Sequence, residues 1–409
     1  MITALFILYT AALTVMLCRS GFVRRSGLSW QWIASLFLLK AAAAVAIGYI
    51  SNKYYPQGND YWNLHRYGVQ EFQLLKDSPG EFFRTLFYSP YGHYGNFFSA
   101  HNSYWNDLES NLLIKLLAVI NFLGRENYYL NSLFFSAIGF IGHVALYRAF
   151  RDHKNEMNIL LVFACFLVPS TLYFSSGIHK DCIVFTLTGL IIYGYAQWNE
   201  KEKGLWLVII SLLLLLLLRN YLALIIAGLL VLFVLPKKMN WPRWTMLPVG
   251  LAAMLMLSFT PLDPFRMLAS RQQNFLELPV ANSQMEMTPL EPGLTGSIKN
   301  LPEAFVHGFL RPYPGEFESF FLDYAAIEMY MILLLILIVL VRNFKRLRLN
   351  HQAALCFFLA IVLILMAGYI VPNAGTLIRY RSLYLPLLLT SVLMWRSKSN
   401  DRNGIISNE

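Results

Sequence analysis

The sequence predicts an all-α, polytopic integral membrane protein, and three observations carry the prediction. Of the 409 residues, 57% are hydrophobic and only 14% charged, where a soluble domain carries about a quarter charged residues. Apolar runs of about 20 residues, the length a hydrocarbon core requires, recur from end to end. The short loops on one side of these runs are basic, as cytoplasmic loops are.

Apolar segments fall at roughly 1–18, 29–50, 127–150, 157–174, 178–197, 204–218, 221–235, 244–260, 323–341, 352–371 and 376–395, about eleven spans in a single transmembrane domain covering 1–409. The first run, ITALFILYTAALTVMLC, has no basic segment before it and no small-residue cleavage site, so it reads as a retained helix. The basic loops are RSGFVRRSG, RDHKNE, NEKEK, PKKMNWPR and RNFKRLRLNH, with the tail RSKSNDRNG. They predict an N-terminus outside and a C-terminus in the cytoplasm. A net charge of +10 then points to loops facing anionic lipid or an anionic substrate, and nucleic acid is not expected as a partner. Cys18, Cys165, Cys182 and Cys356 lie in or beside apolar runs at no metal-ligand spacing and form no disulfide framework.

The opposite side carries two long segments, 51–126 and 261–322, and most of the acidic residues, with His65, His93, His101, His179 and His307. Chemistry, if present, faces outward. In the first segment, KYYPQGNDYWNLHRYG and SPYGHYGNFFSAHNSYW are crowded with aromatics, which suit a membrane interface or the stacking of sugars. SPGEFF predicts a capping box with Pro79 at the first helical position, opening a short amphipathic surface helix. NLLIKLLAVINFL is too short and too charged to span and reads as interfacial or re-entrant. In the second segment, residues 272–297 lack periodicity and read as a mobile loop, followed by a short helix ended by Arg311-Pro312.

SSGIHKD, at 175–181, places His179, Lys180 and Asp181 between two membrane-like runs. Lys180 is one of five cations at the outer ends of apolar segments, with Arg219 in LLLLRNYLAL, Arg311 in LRPYPGE, and Arg379 and Arg381 in NAGTLIRYRSLYLP. A charge deep in a bilayer costs several kcal/mol, so these residues need an internal partner, a wet cavity or an anionic ligand. Three readings stay open. They form structural ion pairs, such as Lys180 with Asp181 or Arg219 with Glu328; they snorkel to headgroups; or they hold an anion, where Arg offers bidentate recognition of phosphate. Gly375-Thr376 adds a backbone able to approach such a phosphate. Asp60, after Gly58-Asn59, is the first candidate for a base, with Asp107 and Glu109 behind it; its plainer reading is a cap or turn residue. His93 and His101 match no strong ligand spacing, and neither a metal nor another cofactor is assigned.

GNDYWNLHRYG at 58–68, PSTLYFSSGIHKD at 169–181, LLRNY at 217–221, LPEAFVHGFLRPYPGE at 301–316 and NAGTLIRYRSLYLP at 373–386 resemble stretches of the multi-pass bacterial proteins of surface-polysaccharide clusters. These include O-antigen and capsule polymerases and, more broadly, GT-C-type glycosyltransferases that use polyprenyl-linked sugars. The resemblance implies the bacterial cytoplasmic membrane as location, a polyprenyl-linked glycan donor, and a sugar or lipid-linked acceptor. It implies an acceptor-activating role for Asp60, and diphosphate-holding roles for Lys180, Arg219, Arg311, Arg379 and Arg381. Asn59 stands before Asp60, which departs from a paired-carboxylate, metal-binding version. Polymerases and ligases of the O-antigen type often rely on Arg and His, which brings in His179 or His307. The rival classes are a transporter or flippase for an anionic lipid-linked saccharide, and a non-catalytic subunit of a polysaccharide assembly system.

Overall fold

The computed structural model describes residues 1–55, 59–89, 103–151, 157–238, 245–260, 262–343 and 350–394. Most of the basic loops used for orientation, the C-terminal segment, Gly58, His93 and His101 lie outside these residues. Among the described residues every regular element is helical, with a single isolated bridge between Gln284 and Asn373. The chain divides into two compact units, Met1–Leu224 and Ile225–Glu409.

The first unit contains α1 (Ile2–Arg19), α2 (Gly21–Arg24), α3 (Trp30–Tyr54), α4 (Asp60–Asp77), α5 (Pro79–Arg84), α6 (Tyr104–Gly124), α7 (Tyr128–Phe150), α8 (Ile159–Phe166), α9 (Pro169–Phe174), α10 (Lys180–Lys201), α11 (Leu205–Leu218) and the start of α12 (Asn220–Lys238). Polar caps set many of the starts. Asn127 Oδ1 accepts from Tyr129 N and Leu130 N to open α7, and Asn158 does the same for α8. The expected capping box at SPGEFF does not form: Ser78 makes no side-chain cap bond, and Glu81 pairs with Arg84 instead.

At the centre, α7 lies against α10 with backbones in contact. A Cβ on Gly142 would sit 2.6 Å from Thr186 Cα, and one on Gly189 would sit 2.5 Å from the Gly142 carbonyl oxygen. Small residues permit such close crossings where lipid provides no hydrophobic drive for helix association. On the flank, α4, α5 and α6 are held together by Lys115. It is buried against the Phe82 ring and donates to Glu71 Oε2 (2.6 Å), Thr85 Oγ1 (2.8 Å) and Phe82 O (3.1 Å). The charge that made α6 look unsuited to spanning is therefore satisfied internally.

The second unit continues through α13 (Met246–Leu257), α14 (Pro264–Leu276), α15 (Leu294–Phe305), a π-helical turn at Val306–Leu310, α16 (Phe320–Asn343), α17 (His351–Ile370), α18 (Ala374–Ser382) and α19 (Leu385–Leu393). Residues 277–293 do not hang loose. Gln272, buried on α14, donates to Thr288 O (3.1 Å) and Tyr369 O (3.0 Å) and accepts from Leu290 N (2.6 Å). Glu303 and Asn300 also bond Thr288, and Met285 N donates to Pro372 O. This strap is anchored by side-chain amides and a carboxylate, which leave no periodic trace in sequence.

Among the described residues five helices, α1, α3, α7, α16 and α17, are long and apolar enough to cross a membrane, with shorter apolar helices at Leu205–Leu218, Asn220–Leu235 and Pro248–Leu257. The chain is an all-α membrane protein. Two of the apolar runs expected to be continuous are broken. The run 157–174 divides into α8 and α9 before Pro169, which cannot donate a helical hydrogen bond. The run 376–395 divides into α18 and α19 just before Pro386 for the same reason.

Candidate functional site

The SSGIHKD turn is where the first unit concentrates its polar contacts, and almost every residue in it has a defined neighbour. Its anchor is Lys40, a residue in the middle of α3 that stands 1% exposed. Lys40 Nζ donates to Ser175 Oγ (2.7 Å) and Ser175 O (2.9 Å), and lies 3.2 Å from both Ser176 Oγ and His143 Nε2. His143 Nδ1 faces the Cys165 carbonyl, so the proton sits there and Nε2 accepts from the ammonium. All these partners are neutral. Gly139 creates the space, since a Cβ there would lie 2.7 Å from Ser175 O, 2.8 Å from Lys40 Cε and 2.9 Å from Cys182 Sγ.

Beyond the serines, Gly177 packs on Tyr61 and Ile178 is fully buried. Asp181 then meets both Arg219 and His179. Arg219 Nη2 lies 2.5 Å from Asp181 Oδ1, and His179 Nδ1 lies 2.9 Å from Asp181 Oδ2. The ion pair is sealed, with side chains 2% and 0% exposed. Arg219 follows α11 as its C-cap residue, and its charge meets the Asp181 carboxylate. The chain turns where the arginine must reach its carboxylate.

Lys180 points elsewhere. It bonds Glu109 Oε2 at 3.2 Å, with side chains 26% and 10% exposed. The Lys180–Asp181 pairing anticipated from sequence is replaced by this contact between α10 and α6. Asp60 is exposed in the first turn of α4, where Asn59 caps the helix by accepting from Trp62 N. Tyr61, the next residue, packs its ring 5.3 Å from that of His179. The start of α4, the start of α10 and Glu109 of α6 therefore gather at one end of the bundle. Beneath them Trp62 stacks on Tyr128 at 4.3 Å, and donates to Gly48 O. His65 lies beside this stack, 3.4 Å from Asn131 Nδ2, and burial pushes its imidazole below the usual range, against an opposing effect of Glu126.

In the second unit, Arg311 leaves the π-helical turn and binds Glu316 through Nε (2.8 Å) and Nη2, while Nη1 lies 3.3 Å from His307 Nε2. Burial, and then the Arg311 charge, hold His307 below its ordinary value. Arg381 is buried and donates to Arg311 O at 2.6 Å; Glu328 is the acid whose charge acts on it. Arg379 is half-buried, with its guanidinium over Tyr380. At the start of α18, Ala374 N donates to Ser283 O and Thr376 N to Asn373 Oδ1, so the strap and the cap already use donors that a phosphate at Gly375-Thr376 would seek.

Comparison with protein-family models, with curated proteins and with solved structures returns no match. The site is thus read from its own geometry. Lys180 and His179 share one turn, against which Tyr61, the residue after Asp60, packs, whereas Arg311 and Arg381 share a second cluster. Two participants are not singled out by reading the chain alone: Lys40 and His143. Each is a lone ionisable residue inside an apolar run, in FLLKAAAA and FIGHVALY, and that isolation is the signal that marks them. Among the described residues, no group of three or more His, Cys, Asp or Glu is arranged to hold a metal ion.

Proposed function

We propose that the chain is a membrane glycosyltransferase or polysaccharide polymerase. It moves glycan from a polyprenyl-diphosphate or polyprenyl-phosphate donor to a sugar or lipid-linked acceptor, at the outer face of the bacterial cytoplasmic membrane. The observation that supports this reading most is the Lys180–Glu109 pair at the bundle end where Tyr61, the residue after Asp60, packs on His179. An acid, an imidazole and a reachable cation are the groups such a transfer needs. Asp60 or His179 takes the acceptor hydroxyl proton as its oxygen attacks the anomeric carbon. The bond to the lipid phosphate breaks, and the leaving oxygen keeps the electron pair against Lys180. Within the second unit, the resemblance assigns Arg311, Arg379 and Arg381 to phosphate as a separate group of cations, and Arg219 is held by Asp181.

A second reading has its own support. Lys40 and His143 lie within two helices long enough to cross a membrane, and intramembrane ionisable groups mark transport paths as well as scaffolds. A carrier of an anionic lipid-linked saccharide would use such groups from both sides.

The test is the surface-glycan length profile of a deletion strain complemented with wild type, Lys180→Ala or Arg379→Ala. Loss of the long-chain ladder, restored only by wild type while both variants insert normally, supports a polymerase. Normal ladders in both variants would sink the phosphate-holding roles given to these cations.

A further inference from the structure

Two arginine–carboxylate pairs with the same chemistry differ in one decisive respect. Asp181–Arg219 is closed to solvent, with side chains 0% and 2% exposed. Arg311–Glu316 is not, with side chains 20% and 14% exposed. The donors that hold Glu316 are charge-assisted ones that a phosphate can also take. Its Oε1 accepts from both Nε and Nη2 of Arg311, and its Oε2 accepts from Tyr313 N at 2.8 Å. His307 Nε2 lies on the far side of the same guanidinium. The carboxylate reaches this position because Gly315, at φ +78°, reverses the chain just before it. The turn has a separate tether, since Gly315 N donates to Asp323 Oδ1 at 2.7 Å. Glu316 can therefore leave Arg311 without the turn coming apart.

We propose that Glu316 is a built-in occupant of an anion seat formed by Arg311 and the Tyr313 amide, and that a phosphate-bearing ligand displaces it. The inference deepens the assignment of Arg311 to the lipid diphosphate and rests on that reading. The pair is partly exposed, so water and an incoming anion reach it, which they do not at the sealed Asp181–Arg219 pair. A diphosphate brings more charge and the oxygen geometry that a guanidinium fork matches. Free pyrophosphate and a lipid-linked diphosphate share this chemistry. The seat is self-covered until a ligand with more than one negative charge arrives, which keeps Arg311 from holding chloride or a lone carboxylate.

The experiment is calorimetric titration of the full chain in detergent with sodium pyrophosphate and, separately, farnesyl diphosphate. Glu316→Gln is expected to bind at least ~10-fold more tightly than wild type, with the gain lost in Glu316→Gln/Arg311→Gln. Tightening for both probes assigns the seat to the phosphate group itself; tightening for farnesyl diphosphate alone assigns it to a lipid-linked ligand. Equal affinity of Glu316→Gln and wild type overturns the proposal, as does a gain that survives loss of Arg311. If Glu316→Gln does not purify as a folded species, phenylglyoxal labelling of wild-type Arg311 decides: protection by either probe supports the seat, and unchanged labelling overturns it. Normal glycan ladders in both Lys180→Ala and Arg379→Ala would remove the transfer reading and leave this binding result standing.

Discussion

Gly139→Ala places one methyl group at the junction of α3, α7 and the SSGIHKD turn. The new Cβ would stand 2.7 Å from Ser175 O, 2.8 Å from Lys40 Cε and 2.9 Å from Cys182 Sγ, all inside van der Waals contact. The lysine stem could swing away, but the Ser175 carbonyl belongs to the backbone and the Lys40 ammonium would lose it. Overpacking costs about 1–3 kcal/mol, and a lost hydrogen bond to a charged group about 1.5–3 kcal/mol. Alanine's better helix propensity offsets about 1 kcal/mol. The balance is a destabilisation of about 2–5 kcal/mol, a fall of about 4–20 °C in the unfolding midpoint at about 2–4 °C per kcal/mol. Gly228→Ala is the matched control, since a Cβ there meets nothing within 4 Å on the apolar helix α12. Both variants would be followed by thermal unfolding in detergent. A Gly139→Ala protein as stable as Gly228→Ala would refute the account of Lys40 as the anchor of the turn.

Asp181→Asn strips the buried Arg219 of its carboxylate and is expected to cost about 3–5 kcal/mol. Asp181→Leu/Arg219→Met, which removes both charges, should recover most of that loss in the same unfolding assay. Unchanged stability in Asp181→Asn would mean the pair contributes nothing. For pH, His65 and His307 are both held below their ordinary value by burial. Above about pH 6.5, the unfolded value, both states are neutral and nothing changes. As pH falls below it the unfolded chain takes up protons the folded chain refuses, so stability declines until the folded-state values are passed. The midpoint should hold steady down to about pH 7 and then drop toward pH 5, with a shallower drop in His65→Gln/His307→Gln; an identical drop in that variant would place the titration elsewhere.

Much of this fold is legible in the chain. The apolar runs at α1, α3, α7, α16 and α17 declare themselves by length, and Asn127, Asn158 and Asn373 announce helix starts that form as capping chemistry requires. Pro169 and Pro386 are visible breakers, and runs read across them divide at or near them. Arg219 is legible as a residue needing a partner, yet the partner is not. Asp181 lies 38 positions away, and only the packing of α10 against α11 brings them together. Lys40 is concealed differently, because a hydropathy window averages it into its neighbours while its acceptors sit 135 and 136 positions further on. The strap at 277–293 eludes pattern reading because its anchors are isolated side-chain amides and a carboxylate.

The reach from Lys40 to Ser175 also bears on how the protein is made. Chains are synthesised at about 5–20 residues per second, so the 135 positions between donor and acceptor take roughly 7–27 s to emerge. Throughout that interval α3 carries an ammonium whose serine partners do not yet exist, in a helix otherwise ready for lipid. Release of α3 into the bilayer during this time would incur the cost of an unmatched charge. The N-terminal helices are therefore best kept beside the insertion machinery until the SSG turn arrives, and the order of synthesis becomes part of what the lysine enforces.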